Sequence, residues 1–338
     1  MAERKNRQWL LAARPQGLIK TSDFKWNETI VPPLKDGEVL IRNLAFSFDP
    51  TQRGWMSFDT YIPAIPLGRP MMAAAAGEIV ESKKPGFAPG DLVQGLFGWE
   101  DYTTTAGAGL FAMQKLAPGT DPLLALSLFG ITGLTAYFGT LAVGQPRAGE
   151  TFVVSGAAGA TGSVAGMIAK IKGCRVVGIA GGSEKCEWLT GEAGFDAAID
   201  YKRENVGEAL GRVCPKGIDA YFDNVGGEIL DHALANLANR ARVVLCGAIS
   251  QYNEEKGVFG AGPKNYFNLV FRAARMEGFL VFQFADSYPE AIADLSKWYV
   301  EGKIKNKLDL ARGLEHCPET LIRLFTGANW GKQLLKMS

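Results

Sequence analysis

The sequence has little of the chemistry that holds metals or disulfides. Its 338 residues include only two histidines, His232 and His316, and five cysteines, Cys174, Cys186, Cys214, Cys246 and Cys317, and no residue of either type precedes Cys174. A catalytic zinc needs Cys and His ligands around an open coordination position, so zinc-dependent alcohol oxidation is excluded and no metal site is expected. The odd number of cysteines and the lack of a C-x-x-C pair argue for reduced thiols and against a disulfide framework or zinc ribbon. Both histidines fall in helix-like segments and read as surface or structural residues rather than catalytic bases. Charge of one sign is missing too: the formal net charge is +1, and no stretch concentrates Lys and Arg as nucleic acid or an anionic membrane surface demands. No apolar run is long enough to span a bilayer, and Met1 to Gln8 lacks the apolar core of a signal peptide, which together predict a cytoplasmic protein.

What is present can bury sizeable cores, with 47% hydrophobic and 21% charged residues, and the length suggests two domains. The first 120 residues read as short apolar or alternating runs broken by Gly and Pro: Gln8 to Ala12, Glu38 to Leu44, Gly77 to Glu81, and Asp91 to Leu96. That rhythm predicts an all-β, barrel-like domain. From about Leu123 apolar strands alternate with helical periods, which predicts a parallel sheet covered on both faces. Six candidate strands follow: Thr151 to Ser155, Arg175 to Ala180, Ala197 to Asp200, Asp219 to Asp223, Arg242 to Cys246, and Met276 to Phe282. Helices are expected over Tyr288 to Glu301 and near Glu319 to Phe325. The division expected is a barrel domain over 1–125, an α/β domain over 126–305, and a C-terminal segment, 306–338, that returns to the barrel. Closely packed domains leave a cleft, and ligands favour such clefts.

Ser155-Gly156-Ala157-Ala158-Gly159-Ala160-Thr161-Gly162 lies where the first of these strands meets its helix, with Ala157, Gly159 and Gly162 on the three positions of a dinucleotide fingerprint. Gly159 lets the backbone approach a pyrophosphate, Gly162 lets helix and strand pack closely, and the first helical N–H groups, from Ala160 onward, point at the anion. An NAD site usually ends the second strand with an acidic residue, but here the strand runs out as Ala180-Gly181-Gly182-Ser183. Lys185 follows at the next helix start and Tyr201-Lys202 after the third strand. Taken alone, each reads as a solvated lysine or a strand-end aromatic; together they offer a cation and a phenol to a ribose 2′-phosphate and select NADP. Asn224 in Phe222-Asp223-Asn224-Val225-Gly226-Gly227, and the run Cys246-Gly247-Ala248-Ile249-Ser250, end two further strands on the side from which parallel sheets bind ligands.

AAGATG, the SEK helix start, IDYK, FDNVGG, CGAISQYN, RMEGF and the terminal GANWGK form an ordered set over half the chain. The sequence resembles the medium-chain dehydrogenase/reductases. Within them it is similar to the zinc-free branch of prostaglandin, alkenal double-bond and curcumin reductases. Phe48-Asp49-Pro50, Gly90-Asp91-Leu92-Val93 and Gly133-Leu134-Thr135-Ala136-Tyr137 extend the match toward the N-terminus. The resemblance implies a GroES-like barrel, a Rossmann doubly wound parallel sheet, and a homodimer whose cofactor sheets join edge to edge. It implies phosphate binding by Lys185 and Tyr201, a nicotinamide-side role for Asn224, a cofactor contact at Asn329, and approach of the Phe279-Leu280-Val281 backbone to the nicotinamide carboxamide. Two departures stand out. Phe271 occupies the place of an active-site tyrosine of some prostaglandin reductases, and Asp49-Pro50-Thr51-Gln52-Arg53 lacks the tyrosine that commonly follows the proline.

The activity implied is NADPH-dependent hydride delivery to the β-carbon of an α,β-unsaturated aldehyde or ketone, where conjugation turns the incoming charge into an enolate. Tyr252, just after the CGAIS run, is the first candidate for the acid that meets this charge, and it would also border the cofactor. Tyr266 is the second, and Tyr61 is expected to line the substrate mouth. Two alternatives stay open: a quinone reductase using the same cofactor, and an NADPH-binding sensor without turnover.

Overall fold

Thr151–Ser155, Arg175–Ala180, Ala197–Asp200, Ile218–Asp223, Leu237–Leu245 and Arg275–Gly278 form one parallel sheet in the computed structural model, which describes residues 4–254 and 262–337. In space they run third, second, first, fourth, fifth, sixth, the doubly wound order that reverses beside the first strand and opens a crevice at its C-terminal end. The first strand, TFVVS, is buried along its whole length, because helices cover both faces of the sheet. Its side chains alternate between two cores. Phe152 and Val154 pack with Val164, Met167 and Ile168 of the helix Ala160–Ile171, whereas Val153 packs with Val177, Ile199 and Tyr221 on the other face.

Two strands depart from the run of apolar residues. The fifth starts early, at Leu237, and carries Arg240 at φ +60, beside a register irregularity against Ile218 and Ala220. The sixth stops at Gly278 instead of running to Phe282. The Leu280 N–H is taken by Gln283 Oε1 at 2.9 Å, and Val281–Ser287 turns into a 3-10 helix.

The N-terminal strands Val39–Ser47, Met72–Ser82 and Leu92–Gly98 pair antiparallel, with Tyr102–Thr105 and Gln114–Lys115 at their margins. Ile41, Phe46, Ala73, Ala75, Ile79, Val93 and Phe97 form a separate core with Phe48 and Trp99. The C-terminal segment completes this sheet. Lys332–Lys336 pairs antiparallel with Val39–Ser47 and parallel with Leu308–Arg312. The helix Cys317–Thr326 between them buries Cys317, Leu321 and Leu324 in the same core, starts with proline in its first turn, and ends at Gly327 in the left-handed region, φ +69. The two sheets meet at glycines: the Gly331 N–H donates to the Ala158 carbonyl at 2.9 Å, and Gly331 pairs in register with Gly159. No described helix is long and apolar enough to cross a membrane.

Candidate cofactor and acceptor site

The glycine turn after the first Rossmann strand is shaped by close approach. Gly156 has φ +59, and Gly159 caps the helix Ala160–Ile171. A Cβ on Gly162 would lie 2.4 Å from the Gly156 carbonyl oxygen, so helix and strand can meet only with glycine there. A Cβ on Gly159 would meet nothing nearer than the Gly156 oxygen at 3.1 Å, which leaves that side of the turn open. The N–H groups of Ala160, Thr161 and Gly162 belong to the first turn, where no intrahelical acceptor exists, and the helix dipole adds partial positive charge. An anion of pyrophosphate type fits this turn.

At the end of the second strand, Gly181 carries no side chain where a Cβ would collide with the Tyr201 ring at 2.7 Å. Its absence lets the phenol lie across the strand end. Lys185, in the first turn of the helix Ser183–Gly191, donates from Nζ to the Gly327 carbonyl at 2.8 Å. The Tyr201 hydroxyl lies 4.0 Å from where a Cβ on Gly327 would stand. The structure thus brings Lys185, Tyr201 and the loop carrying Asn329 together. Asn329 lies half-buried between Gly327 and Gly331 and donates from Nδ2 to the Gly331 carbonyl at 3.4 Å. Burial pulls Lys185 below the ordinary lysine value, and the like charges of Lys202 and Arg323 act in the same direction against Asp309. The neighbouring carboxylates hold protein donors, Asp200 through Oδ1 alone, its Oδ2 being buried without a hydrogen bond among the described residues. Asp200 accepts the Gly182 and Lys202 N–H groups at 2.8 and 3.1 Å, while Asp309 pairs with Arg323 at 2.7 Å and accepts the Trp330 N–H at 3.0 Å.

The loops after the fourth and fifth strands are zipped to each other. Asn224 donates from its backbone to Ser155 Oγ at 2.9 Å and from Nδ2 to the Ser155 carbonyl at 2.7 Å. The Cys246 and Gly247 N–H groups donate to the Asp223 carbonyl, the Ile249 N–H to the Asn224 carbonyl, and Ser250 Oγ to the Val225 carbonyl at 2.6 Å. Asp223, which sequence reading passed over, anchors this arrangement: its buried carboxylate accepts from Ser155, Tyr221, Val225 and Gly226. Burial raises Asp223 above the usual carboxylate range, against the pull of those hydrogen bonds. Burial, with Asp223 adding, pushes the Cys246 thiol up to about 12, so it stays protonated at neutral pH.

Tyr252 follows directly. Its hydroxyl accepts the Ala248 N–H at 3.1 Å and sits where a Cβ on Gly247 would come within 3.1 Å. Burial pushes this phenol up to about 12, against the Ala248 bond, and Cys246, Tyr61 and Asp223 are near enough to add to the rise. Tyr61, from the antiparallel side, shares a hydrogen bond with Thr51 Oγ1 at 2.7 Å, and burial raises its phenol as well. Its ring belongs to an aromatic wall, with centroids 6.3 Å from Trp55, 6.2 Å from Phe111 and 5.5 Å from Phe282, while Phe111 and Phe282 lie 5.0 Å apart edge to face. Trp55, Tyr61 and Phe111 come from the short helix and loops of the N-terminal part and Phe282 from the Rossmann side, so the wall spans the gap between them.

Other expected residues lie elsewhere. Tyr266 is 58% exposed, edge to face with Phe267, in a patch with Val270 and Phe271. Phe279 turns its ring inward against Gly139, Leu280 is exposed and Val281 buried, and the Leu280 N–H already has an acceptor in Gln283. Trp55, Phe111, Phe282 and Thr51 carry no local signal of a site, because they stand on a single helical turn, a loop and a short 3-10 helix, too short for any periodic pattern. Among the described residues no group of three or more His, Cys, Asp or Glu side chains is placed to hold a metal.

The profile described as the N-terminal domain of oxidoreductase matches residues 7–113, and that described as zinc-binding dehydrogenase matches residues 160–297. The NADP(+)-dependent 2-alkenal reductase of Nicotiana tabacum is 40% identical over 341 residues, covering 98% of this chain and 98% of that protein. The NADPH-dependent curcumin reductase of Escherichia coli (strain K12) is 37% identical over 340 residues, covering 99% of this chain and 98% of that protein. The crystal structure of CurA in complex with NADPH from Vibrio vulnificus superposes with a TM-score of 0.91 at 37% identity, covering 98% of this chain and 99% of that one. The chain belongs to the medium-chain dehydrogenase/reductase superfamily, in the family that holds the prostaglandin, 2-alkenal and curcumin reductases.

Proposed function

We propose that this protein is an NADPH-dependent reductase of the carbon–carbon double bond of α,β-unsaturated aldehydes and ketones, placing hydride on the β-carbon. The observation that carries the cofactor reading is the joint placement of Lys185 and Tyr201 at Gly327, beside a glycine turn open to a pyrophosphate. In this reading the N–H groups of Ala160, Thr161 and Gly162 hold the pyrophosphate, with Gly159 giving room. Lys185 and Tyr201 hold the 2′-phosphate. Asn224, the run Cys246, Gly247, Ala248, Ile249 and Ser250, and Tyr252 border the nicotinamide half, the Phe279–Val281 backbone approaches it through groups other than the Leu280 N–H, and Asn329 contacts the cofactor from the Gly327–Gly331 loop beside Lys185. When bound, NADPH supplies a hydride to an electrophilic carbon.

Tyr252 meets the charge that develops on the acceptor. Its phenol stays neutral at physiological pH, and accepting the Ala248 N–H polarises the hydroxyl as a donor. Donation to the acceptor carbonyl oxygen stabilises the enolate, and the α-carbon then takes a proton from water or from the same hydroxyl, which solvent reprotonates. The aromatic wall excludes water and gives a conjugated acceptor a face to lie on. The same wall also suits a flat quinone, which is the second reading. Loss of NADPH absorbance with alkenals, aryl enones, oxo-prostanoids and quinones, followed by product analysis, separates them: saturated carbonyl product supports the first reading, and turnover of quinones alone replaces it.

The exposed patch of Tyr266, Phe267, Val270 and Phe271 adjoins the edge strand Arg275–Gly278. An edge that no described strand pairs with, flanked by apolar side chains, suits a second copy of the chain, so the working assembly in this proposal is a homodimer. Sedimentation of the wild type and of Phe271→Glu tests it; the variant is expected to run as a monomer.

A further inference from the structure

Lys332 opens the strand that joins the C-terminal segment to the N-terminal sheet, and its side chain is only 2% exposed. Its Nζ lies 2.5 Å from Asp49 Oδ1 and donates to the Phe48 carbonyl at 3.3 Å. The other Asp49 oxygen accepts from Ser47 Oγ at 2.5 Å, and the Asp49 N–H donates to Gln52 Oε1 at 2.8 Å. These bonds fix the turn 49–52. Thr51 in that turn stands just before the helix Gln52–Trp55, makes no side-chain bond to it, and shares its hydroxyl with Tyr61 at 2.7 Å. On the other side of Lys332, Gly331 is bonded to Ala158 and in register with Gly159 of the phosphate turn. Lys332 also lines a small cavity with Ala160 and Ser163, in the first turn of that helix.

A buried ammonium pair of this kind adds little net stability over apolar side chains of equal volume, and its product is a fixed geometry between the segments it joins. Here the segments are the cofactor turn and the loop that orients Tyr61. We infer that Lys332 is a positioning residue that holds Tyr61 in register with the cofactor through Asp49 and the Thr51–Tyr61 hydrogen bond. The inference rests on the reductase reading for its kinetic form. The Gly331–Ala158 bond is backbone to backbone and survives any change of the Lys332 side chain. Loss of Lys332 therefore spares cofactor binding and displaces Tyr61.

The test is a double-mutant cycle of Lys332→Met and Thr51→Val, read as acceptor kcat/KM and as NADPH Kd. Each single change is expected to lower acceptor kcat/KM about fivefold to tenfold, the effect of one or two hydrogen bonds. NADPH Kd should stay within about twofold, and Lys332→Met should add less than about twofold in the Thr51→Val background. Additive losses, or equal loss of NADPH binding, overturn the relay. Thr51→Val removes no charge, so an unchanged acceptor kcat/KM in that variant overturns it even if Lys332→Met does not fold. A readout without turnover comes from 3-fluorotyrosine at position 61. Its fluorine resonance should shift alike in both variants, and a resonance unmoved by Lys332→Met contradicts the relay whether or not enones are substrates.

Discussion

Lys185 Nζ and the Gly327 carbonyl oxygen lie 2.8 Å apart, across 142 positions of sequence. The bond ties the helix after the second Rossmann strand to the segment that returns to the N-terminal sheet. It places a cation at the end of a strand that carries no acidic residue. Replacing Lys185 with Ala removes one charge-assisted contact to a 2′-phosphate, worth about 1.5–3 kcal/mol. NADPH affinity is expected to fall roughly tenfold to a hundredfold by calorimetric titration, with NADH affinity unchanged. Equal loss for both dinucleotides places Lys185 outside the phosphate site.

Tyr252→Phe removes the hydroxyl that accepts the Ala248 N–H. Single-turnover hydride transfer should slow by about a hundredfold or more, as for loss of a general acid, while NADPH affinity changes far less, since the phosphate contacts lie at the other end of the cofactor. The neutral phenol is the working form, so the wild-type rate falls only as pH rises toward about 12, not at the value near 10 of an ordinary tyrosine. An unchanged rate in the variant removes Tyr252 from the chemistry.

Phe111 faces Phe282 edge to face at 5.0 Å across the gap. Phe111→Ala should lower kcat/KM for aryl enones by about fivefold to tenfold, the worth of one aromatic contact. Short alkenals, which cannot reach the wall with a ring, should change less than about twofold on that scale. Parallel losses for both acceptor types show that the wall holds the fold rather than the acceptor.

Glu100 is a buried carboxylate that accepts from Asn6, Gln8 and Thr103. Burial raises it above the usual glutamate value, with those hydrogen bonds opposing. A raised folded-state value means that its stabilising contribution is full below the unfolded value and is lost as pH rises through the folded one. Thermal unfolding followed between acidic and neutral pH should show that loss in the wild type and a flatter profile in Glu100→Gln. Matching profiles contradict the burial argument.

Fold was the more legible part of the sequence. Thr151–Ser155, Arg175–Ala180 and Ala197–Asp200 stand where their apolar runs put them, because runs this short, alternating with helical periods, fit strands of a covered parallel sheet. Met276 to Phe282 misled because an apolar run does not reveal that Gln283 will take the Leu280 N–H. In the site, Gly159 and Gly162 were readable because each stands on a fingerprint position, whereas the positive φ of Gly156 and the approach of Tyr201 to Gly181 show only in the fold. The Lys332–Asp49 pair and the Phe111–Phe282 contact join residues far apart in the chain. Nothing local in the sequence encodes such contacts.

The most direct measurement follows the hydride itself. With NADPH deuterated at nicotinamide C4 and 4-phenyl-3-buten-2-one as acceptor, the expected product is the saturated ketone bearing deuterium on the former β-carbon, identified by NMR and mass spectrometry. Deuterium on a carbinol carbon, with the double bond intact, would contradict it.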